Sequence, residues 1–212
     1  AALVIAGTQA GPAGAKAAPL AAYVLAGPRS PACVRIVVIR DQSGSMTAFQ
    51  AARDDAMRQL VSWSASTHTL RATDSLAIVD FAGDGKVALS TTPIRSVGPI
   101  PGDAATNPDG SDLNAAIEAV ATLPTSTCRT SLIVLSDALV TGLDSTARAA
   151  LTSSGVTNVA LILPGHLSVP DLWKHDFPYA DVFVSSGSDP DLTARSVAQA
   201  VAHSVGQRME KR

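Results

Sequence analysis

Cys33-Val34-Arg35-Ile36-Val37-Val38-Ile39-Arg40-Asp41-Gln42-Ser43-Gly44-Ser45-Met46 is the stretch whose reading decides the fold of this chain. The run from Cys33 to Arg40 is mostly apolar with no strict alternation, the mark of a strand buried on both faces. A carboxylate and two hydroxyls then alternate at Asp41, Ser43 and Ser45, where a buried strand should meet a helix. Three hard oxygen donors on one tight turn suit a small divalent cation such as magnesium. That ion takes oxygen ligands in octahedral geometry and keeps some of its waters.

Beyond this stretch the chain alternates between two kinds of segment. Short apolar runs at 34–39, 75–81, 131–135, 156–163 and 181–184 read as strands buried on both faces. Amphipathic segments at 49–63, 111–123, 145–153 and 191–208 read as helices. In the first, Phe49, Ala52, Ala56, Leu60 and Trp63 share a face, with Arg53, Asp54 and Arg58 elsewhere. The segment at 86–92 follows an Asp84-Gly85 hairpin signal and should pair antiparallel with 75–81 at a sheet edge. The order β-α-β-β-α-β-α-β-α predicts an α/β fold, doubly wound. Its sheet is mostly parallel, with one antiparallel edge strand and helices on both faces.

Composition narrows the function. A chain of 212 residues, 46% hydrophobic, can build one substantial core. A net charge of -2, only 16% charged residues and no basic cluster argue against nucleic acid as a partner. No apolar stretch approaches the roughly 20 residues needed to cross a bilayer. Residues 1–33 are rich in Ala, Gly and Pro and read as an N-terminal arm or linker, in which 20–25 could be a short strand or a helical turn; residues 34–212 read as the domain. Residues 1–7 read as a strand or extended arm, or as the remnant of a signal or anchor segment. Heavy alanine use and Arg over Lys suit a bacterial-type protein.

Ligands of an open α/β sheet collect at the carboxyl ends of its central strands. Two further segments should reach that edge: Asp109-Gly110-Ser111-Asp112-Leu113, before a helix, and Leu135-Ser136-Asp137-Ala138, after a strand. Asp-x-Ser-x-Ser, then a hydroxyl residue after glycine, then an Asp after a hydrophobic strand, in that chain order, resembles the von Willebrand factor A-type domain. The motif is its metal-ion-dependent adhesion site, and the likeness runs from about Val34 to Arg208. Asp41, Ser43, Ser45 and Asp137 match residue by residue. Ser111 stands where the family usually has Thr, keeping the hydroxyl but losing a methyl, and Ala138 replaces a common glycine.

The resemblance implies a site for Mg2+, or Mn2+ or Ca2+. Ser43 and Ser45 would bind directly, Asp41 and Asp137 mainly through waters, and Ser111 either way. One position would stay open for an acidic side chain of a protein partner. It also makes the strands after Cys33 and Cys128 sheet neighbours. Cys33 lies eight residues before Asp41 and Cys128 nine before Asp137, so counting back at roughly 3.3 Å per residue puts both at the opposite edge. A disulfide there would argue for an extracytoplasmic or cell-surface location; two buried free thiols, the other reading, would suit the cytoplasm.

Three functions compete. The expected one is a non-catalytic, cation-dependent adhesion or protein-binding module. A second is a subunit of a larger regulatory or ATPase-linked assembly. A third is a phosphoryl hydrolase with Asp41 as nucleophile, but Ser43 stands where such enzymes carry a second acid and cannot protonate a leaving group at neutral pH. His68, His166, His175 and His203 show no metal-ligand spacing and read as surface or capping residues. Trp173 and Tyr179 read as packing a short loop on the sheet. Asp103 and Asp109 could add charge near the site, and Asp112 reads as a helix cap.

Overall fold

All eight residues of strand β2 (Val34–Asp41), which follows the short strand β1 (Tyr23–Ala26), are buried, as a central strand requires. A computed structural model describes residues 18–66, 68–105, 107, 109–165 and 167–212. The expectations for residues 1–7 and for His166 lie outside the described residues. From β2 the chain passes a 3-10 turn (Gly44–Phe49) into helix α1 (Gln50–Ser64), then strands β3 (Ser75–Phe81) and β4 (Gly85–Pro93). Helix α2 (Leu113–Ala121), strand β5 (Arg129–Leu135), helix α3 (Ser145–Ser153) and strand β6 (Val156–Pro164) follow. Helix α4 (Asp171–Asp176), strand β7 (Asp181–Ser185), helix α5 (Pro190–Ser204) and strand β8 (Arg208–Lys211) complete the described order.

Six strands form one sheet in the order β4-β3-β2-β5-β6-β7. All pairs are parallel except β3 with β4, the expected edge hairpin. Alternate residues of β2 feed two cores. Ile36 and Val38 pack with α1 and α5, while Val37 and Ile39 pack with α2, α3 and α4. The strand period of 2 thus divides one buried segment between two helical layers. The fold is the doubly wound α/β arrangement read from the sequence.

Four local expectations need correction. Helix α2 begins at Leu113 rather than Ser111, because Gly110 has φ +96° and Asp112 caps the helix through the Asn114 N–H. The last helix stops at Ser204; the chain turns at Gly206 (φ +74°), and β8 pairs antiparallel with β1 in a separate two-stranded sheet. Helix α4 occupies a stretch read as loop. Trp173 is buried there against Phe177, ring centroids 4.5 Å apart, whereas Tyr179 is 90% exposed. Phe177 and Ala180 fill the space on the sheet, so Tyr179 between them points outward.

Cys33 and Cys128 form a disulfide with Cα atoms 4.8 Å apart, joining the starts of β2 and β5. The bridge closes a sequence separation of 95 residues. A Cys33→Ser/Cys128→Ser variant is expected to lose about 2–4 kcal/mol of stability, read from the urea midpoint, because the unfolded chain regains loop entropy. An unchanged midpoint would show that the bridge adds nothing to stability.

Candidate metal centre

From β2 the chain winds toward β3 on one side, whereas β5, on the other, leads on to β6 and β7. The carboxyl ends of β2 and β5 therefore flank the crevice where winding reverses. Asp41 ends β2 and is fully buried. Its Oδ1 accepts the Ser43 N–H at 2.9 Å and its Oδ2 accepts the Ser136 hydroxyl at 2.6 Å. Ser136 Oγ in turn accepts the Ala138 N–H at 2.9 Å. Register explains the meeting: Arg40 pairs with Leu135, so the next residues, Asp41 and Ser136, emerge side by side.

Ser43 occupies the cap position of the 3-10 turn, yet its hydroxyl makes no capping bond. It lies 3.1 Å from the Ser45 hydroxyl instead, so the two oxygens face each other without a backbone partner. Asp137, 4% exposed, accepts the Leu139 N–H on Oδ1 at 3.0 Å. Asp41 and Ser43 thus line one cleft, Ser45 meets Ser43, and Asp137 lies near enough for its charge to act on Asp41. Ser111 sits half-buried on the adjoining loop. Its carbonyl accepts the Thr141 N–H at 3.0 Å, which ties that loop to the segment following Asp137.

Burial pushes the Asp41 carboxyl above the ordinary carboxylate range. Hydrogen bonds from Ser136 and Ser43 pull it back down, and the nearby Asp137 charge pushes it further up. Among the described residues, no three His, Cys, Asp or Glu side chains converge as metal ligands do. The crevice offers two carboxylates, with its other oxygen donors being hydroxyls. His68, His175 and His203 lie on the surface, the last with Nδ1 2.5 Å from Asp181 Oδ2.

Two residues escaped the sequence reading. Ser136 holds Asp41, and its position between a buried strand and Asp137 was the available signal. Arg53, expected away from the packed face, is 3% exposed. It donates to the Asp41 carbonyl at 2.8 Å and to Asp103 Oδ1 at 3.0 Å, and Gln50 also donates to Asp103. Helical side chains lean toward the helix N-terminus, so a long cation in the first turn of α1 reaches back to the sheet edge. Asp103 thereby becomes a wall of a cleft of about 260 Å³ beside Asp41, lined also by Gln42, Thr47 and Gln50. A buried Arg40–Asp80 pair supports that wall. Arg40 Nε and Nη2 lie 2.6 and 2.7 Å from the Asp80 oxygens, Arg40 donates to the Gly102 carbonyl at 3.2 Å, and Asp80 accepts the Ala104 N–H at 2.8 Å.

The fold has counterparts among solved structures. A von Willebrand factor type A protein from Catenulispora acidiphila matches with TM-score 0.58 and 17% identity, over 82% of this chain and 43% of that one. The pilus adhesin SpaC from Lactobacillus rhamnosus GG matches with TM-score 0.60 and 12% identity, over 82% of this chain and 30% of that one. Proximal thread matrix protein 1 from the mussel byssus, in a form with a zinc-occupied MIDAS motif, matches with TM-score 0.53 and 16% identity, over 85% and 48%. This chain thus spans less than half the length of each. No family model matches it, and no curated protein matches its sequence. The chain has the fold of a von Willebrand factor A-type domain.

Two outcomes test the local physics. Ala138 holds φ +61°, a conformation that favours glycine, and is 2% exposed, so backbone strain opposes the packing of its methyl. Ala138→Gly should change stability by less than about 1 kcal/mol, because relief of left-handed strain and loss of one buried methyl nearly cancel. Ala138→Val should be clearly destabilised in the same melt, since a β-branched residue tolerates positive φ poorly. Asp41 tests the electrostatics. Its folded pKa is raised, so its contribution to stability is full below the unfolded value and lost as pH rises through the folded one. Asp41→Asn should therefore melt at a higher temperature than wild type at neutral pH in chelator. A lower melting temperature would contradict the cost assigned to the buried charge.

Proposed function

We propose that this chain is a non-catalytic, divalent-cation-dependent protein-binding module. The observation that carries this reading is the Ser43–Ser45 hydroxyl pair. Two hydroxyls without backbone partners stand beside two buried carboxylates, at the sheet position where ligands of this architecture bind. The donor set fits a hard cation: Ser43 and Ser45 would hold it directly, Asp41 and Asp137 mainly through waters, and the Ser111 hydroxyl would join from the adjoining loop. A bound Mg2+ would supply positive charge that two neighbouring carboxylates compensate incompletely, leaving it attractive to an acidic side chain of a partner.

The protein residues divide the remaining work. Ser136 and the Ser43 N–H orient the Asp41 carboxylate, and the Leu139 N–H orients Asp137. Arg53 secures the Asp41 backbone from behind. Two relatives by fold support the class, one a pilus adhesin and one with a zinc-occupied MIDAS motif. The Cys33–Cys128 bridge favours an oxidising, extracytoplasmic or cell-surface setting over a cytoplasmic ATPase-linked assembly. Hydrolysis is disfavoured because Ser43 takes the place of a second acid.

Calorimetric titration with MgCl2 is expected to show one site in the wild type and none in Asp137→Ala. Ion at a hundred times its dissociation constant should stabilise the wild type by about 2.7 kcal/mol and leave the variant unmoved. A wild type that takes up neither Mg2+ nor Mn2+ would end this reading.

A further inference from the structure

Register gathers at the amino end of the sheet five arginines that form no run in the sequence. Val34 pairs with Arg129, Arg35 with Ser75, and Ser75 with Pro93, so these segments stand side by side on strands about 4.8 Å apart. A turn closed by the Asp74 N–H on the Arg71 carbonyl at 3.0 Å sets Arg71 beside them. A bond from the Ile94 N–H to the Asp74 carbonyl at 2.9 Å does the same for Arg95. Segments 27–35, 65–75, 91–97 and 122–130 contain the five arginines, no lysine and one acid, Asp74.

That acid is answered inside the face. Asp74 is fully buried, and both its oxygens lie 2.6 Å from Arg29 Nη2. Arg35, 3% exposed, finds only neutral acceptors: Thr130 Oγ1 at 2.9 Å and the carbonyls of Pro124 and Ser154 at 2.7 and 3.1 Å. Arg71, Arg95 and Arg129 are exposed. Arg71 donates to the Pro31 carbonyl at 3.2 Å and Arg95 to the Ala65 carbonyl at 2.7 Å, and none of the three meets a carboxylate among the described residues. The carboxyl end is the reverse. Loops 41–49, 98–112 and 136–144 contain six aspartates and no lysine or arginine. Arg40 and Arg53 reach that end but are paired there with Asp80 and Asp103.

We infer that the amino end is a docking face for a lipid surface with anionic headgroups, which the domain meets end-on with the crevice turned away. The net charge of -2 repels an anion that samples the whole molecule, but a planar surface touches one end at a time. The eight residues of β2, at about 3.3 Å each, hold the two ends roughly 26 Å apart. That is roughly three Debye lengths at physiological salt, so the acidic end is screened from a surface that the basic end touches. Guanidinium forks also match the paired oxygens of a headgroup phosphate. Each arginine near such a surface favours binding about fivefold, and the three exposed ones together on the order of a hundredfold. The inference requires no ion in the crevice.

Flotation with vesicles of mixed phosphatidylglycerol and phosphatidylcholine tests the face, in chelator so that no cation bridges protein and lipid. The wild type is expected to float with these vesicles, to ignore vesicles of phosphatidylcholine alone, and to be released by high salt. Arg129→Gln should weaken binding about fivefold and Arg71→Gln/Arg129→Gln about twenty-fivefold, whereas Arg129→Lys should keep most of it. Arg58→Gln removes an exposed arginine from the middle of α1, away from the face, and should leave binding unchanged. Arg129 is exposed and makes no side-chain bond among the described residues, so Arg129→Gln should melt with the wild type. No preference for anionic over neutral vesicles, or equal losses in Arg58→Gln and Arg129→Gln, would overturn the docking face. Equally tight binding of soluble heparin at matched charge would overturn the lipid surface as its occupant.

Discussion

Parallel pairing of β2 with β5 is the constraint on which the rest of the molecule depends. Both strands are buried along nearly their whole length, so their register is set by two cores at once, one on each face of the sheet. A slip by one residue would exchange Ile36 and Val38 with Val37 and Ile39 across those cores. The same register delivers Asp41 beside Ser136 and next to Asp137 at one edge, and Cys33 beside Cys128 at the other. Crevice and bridge are thus two ends of one hydrogen-bonded ladder.

Two of the buried carboxylates at the carboxyl edge, Asp80 and Asp41, lie in opposite electrostatic circumstances. Asp80 sits on β3, opposite Arg40 in register, and receives a bidentate guanidinium, so its charge is met and the pair serves the 98–105 loop. Asp41, one residue beyond Arg40, receives neutral donors from Ser43 and Ser136 and faces the charge of Asp137. Burying an ion without a counter-charge is costly, and neutral donors offset part of that cost only. Arg53 lies close by but directs its donors to the Asp41 carbonyl and to Asp103, leaving the Asp41 carboxylate without a cationic partner among the described side chains.

How far the chain could be read depended on burial. Strands of the main sheet were legible because sequestered strands must be apolar throughout, and β4 because Asp84-Gly85 marks a hairpin. Strand β8, Arg-Met-Glu-Lys, carries no apolar run; it is a strand only because β1 lies beside it, so it was not read as one, and its first residue, Arg208, fell in the expected helix. Helix α4 spans six residues, too short for a period to show. Arg53 and Tyr179 were misplaced for a shared reason: polar and aromatic side chains go where a partner or a void exists, and neither is written locally.

By itself the sequence determined the alternation of buried strands and amphipathic helices, the antiparallel edge, and the oxygen donors at 41–45, 111 and 137. Those follow from short-range rules of periodicity, capping and turn chemistry, which act within a few residues. Tertiary structure decided which distant groups meet. It closed the disulfide that the sequence had left open against two free thiols, and gave Asp41 its hydroxyl donor from Ser136. It buried Arg53 against the Asp41 carbonyl. Each of those contacts joins segments through sheet register and helix docking, where many weak packing terms act together and no single residue carries the instruction.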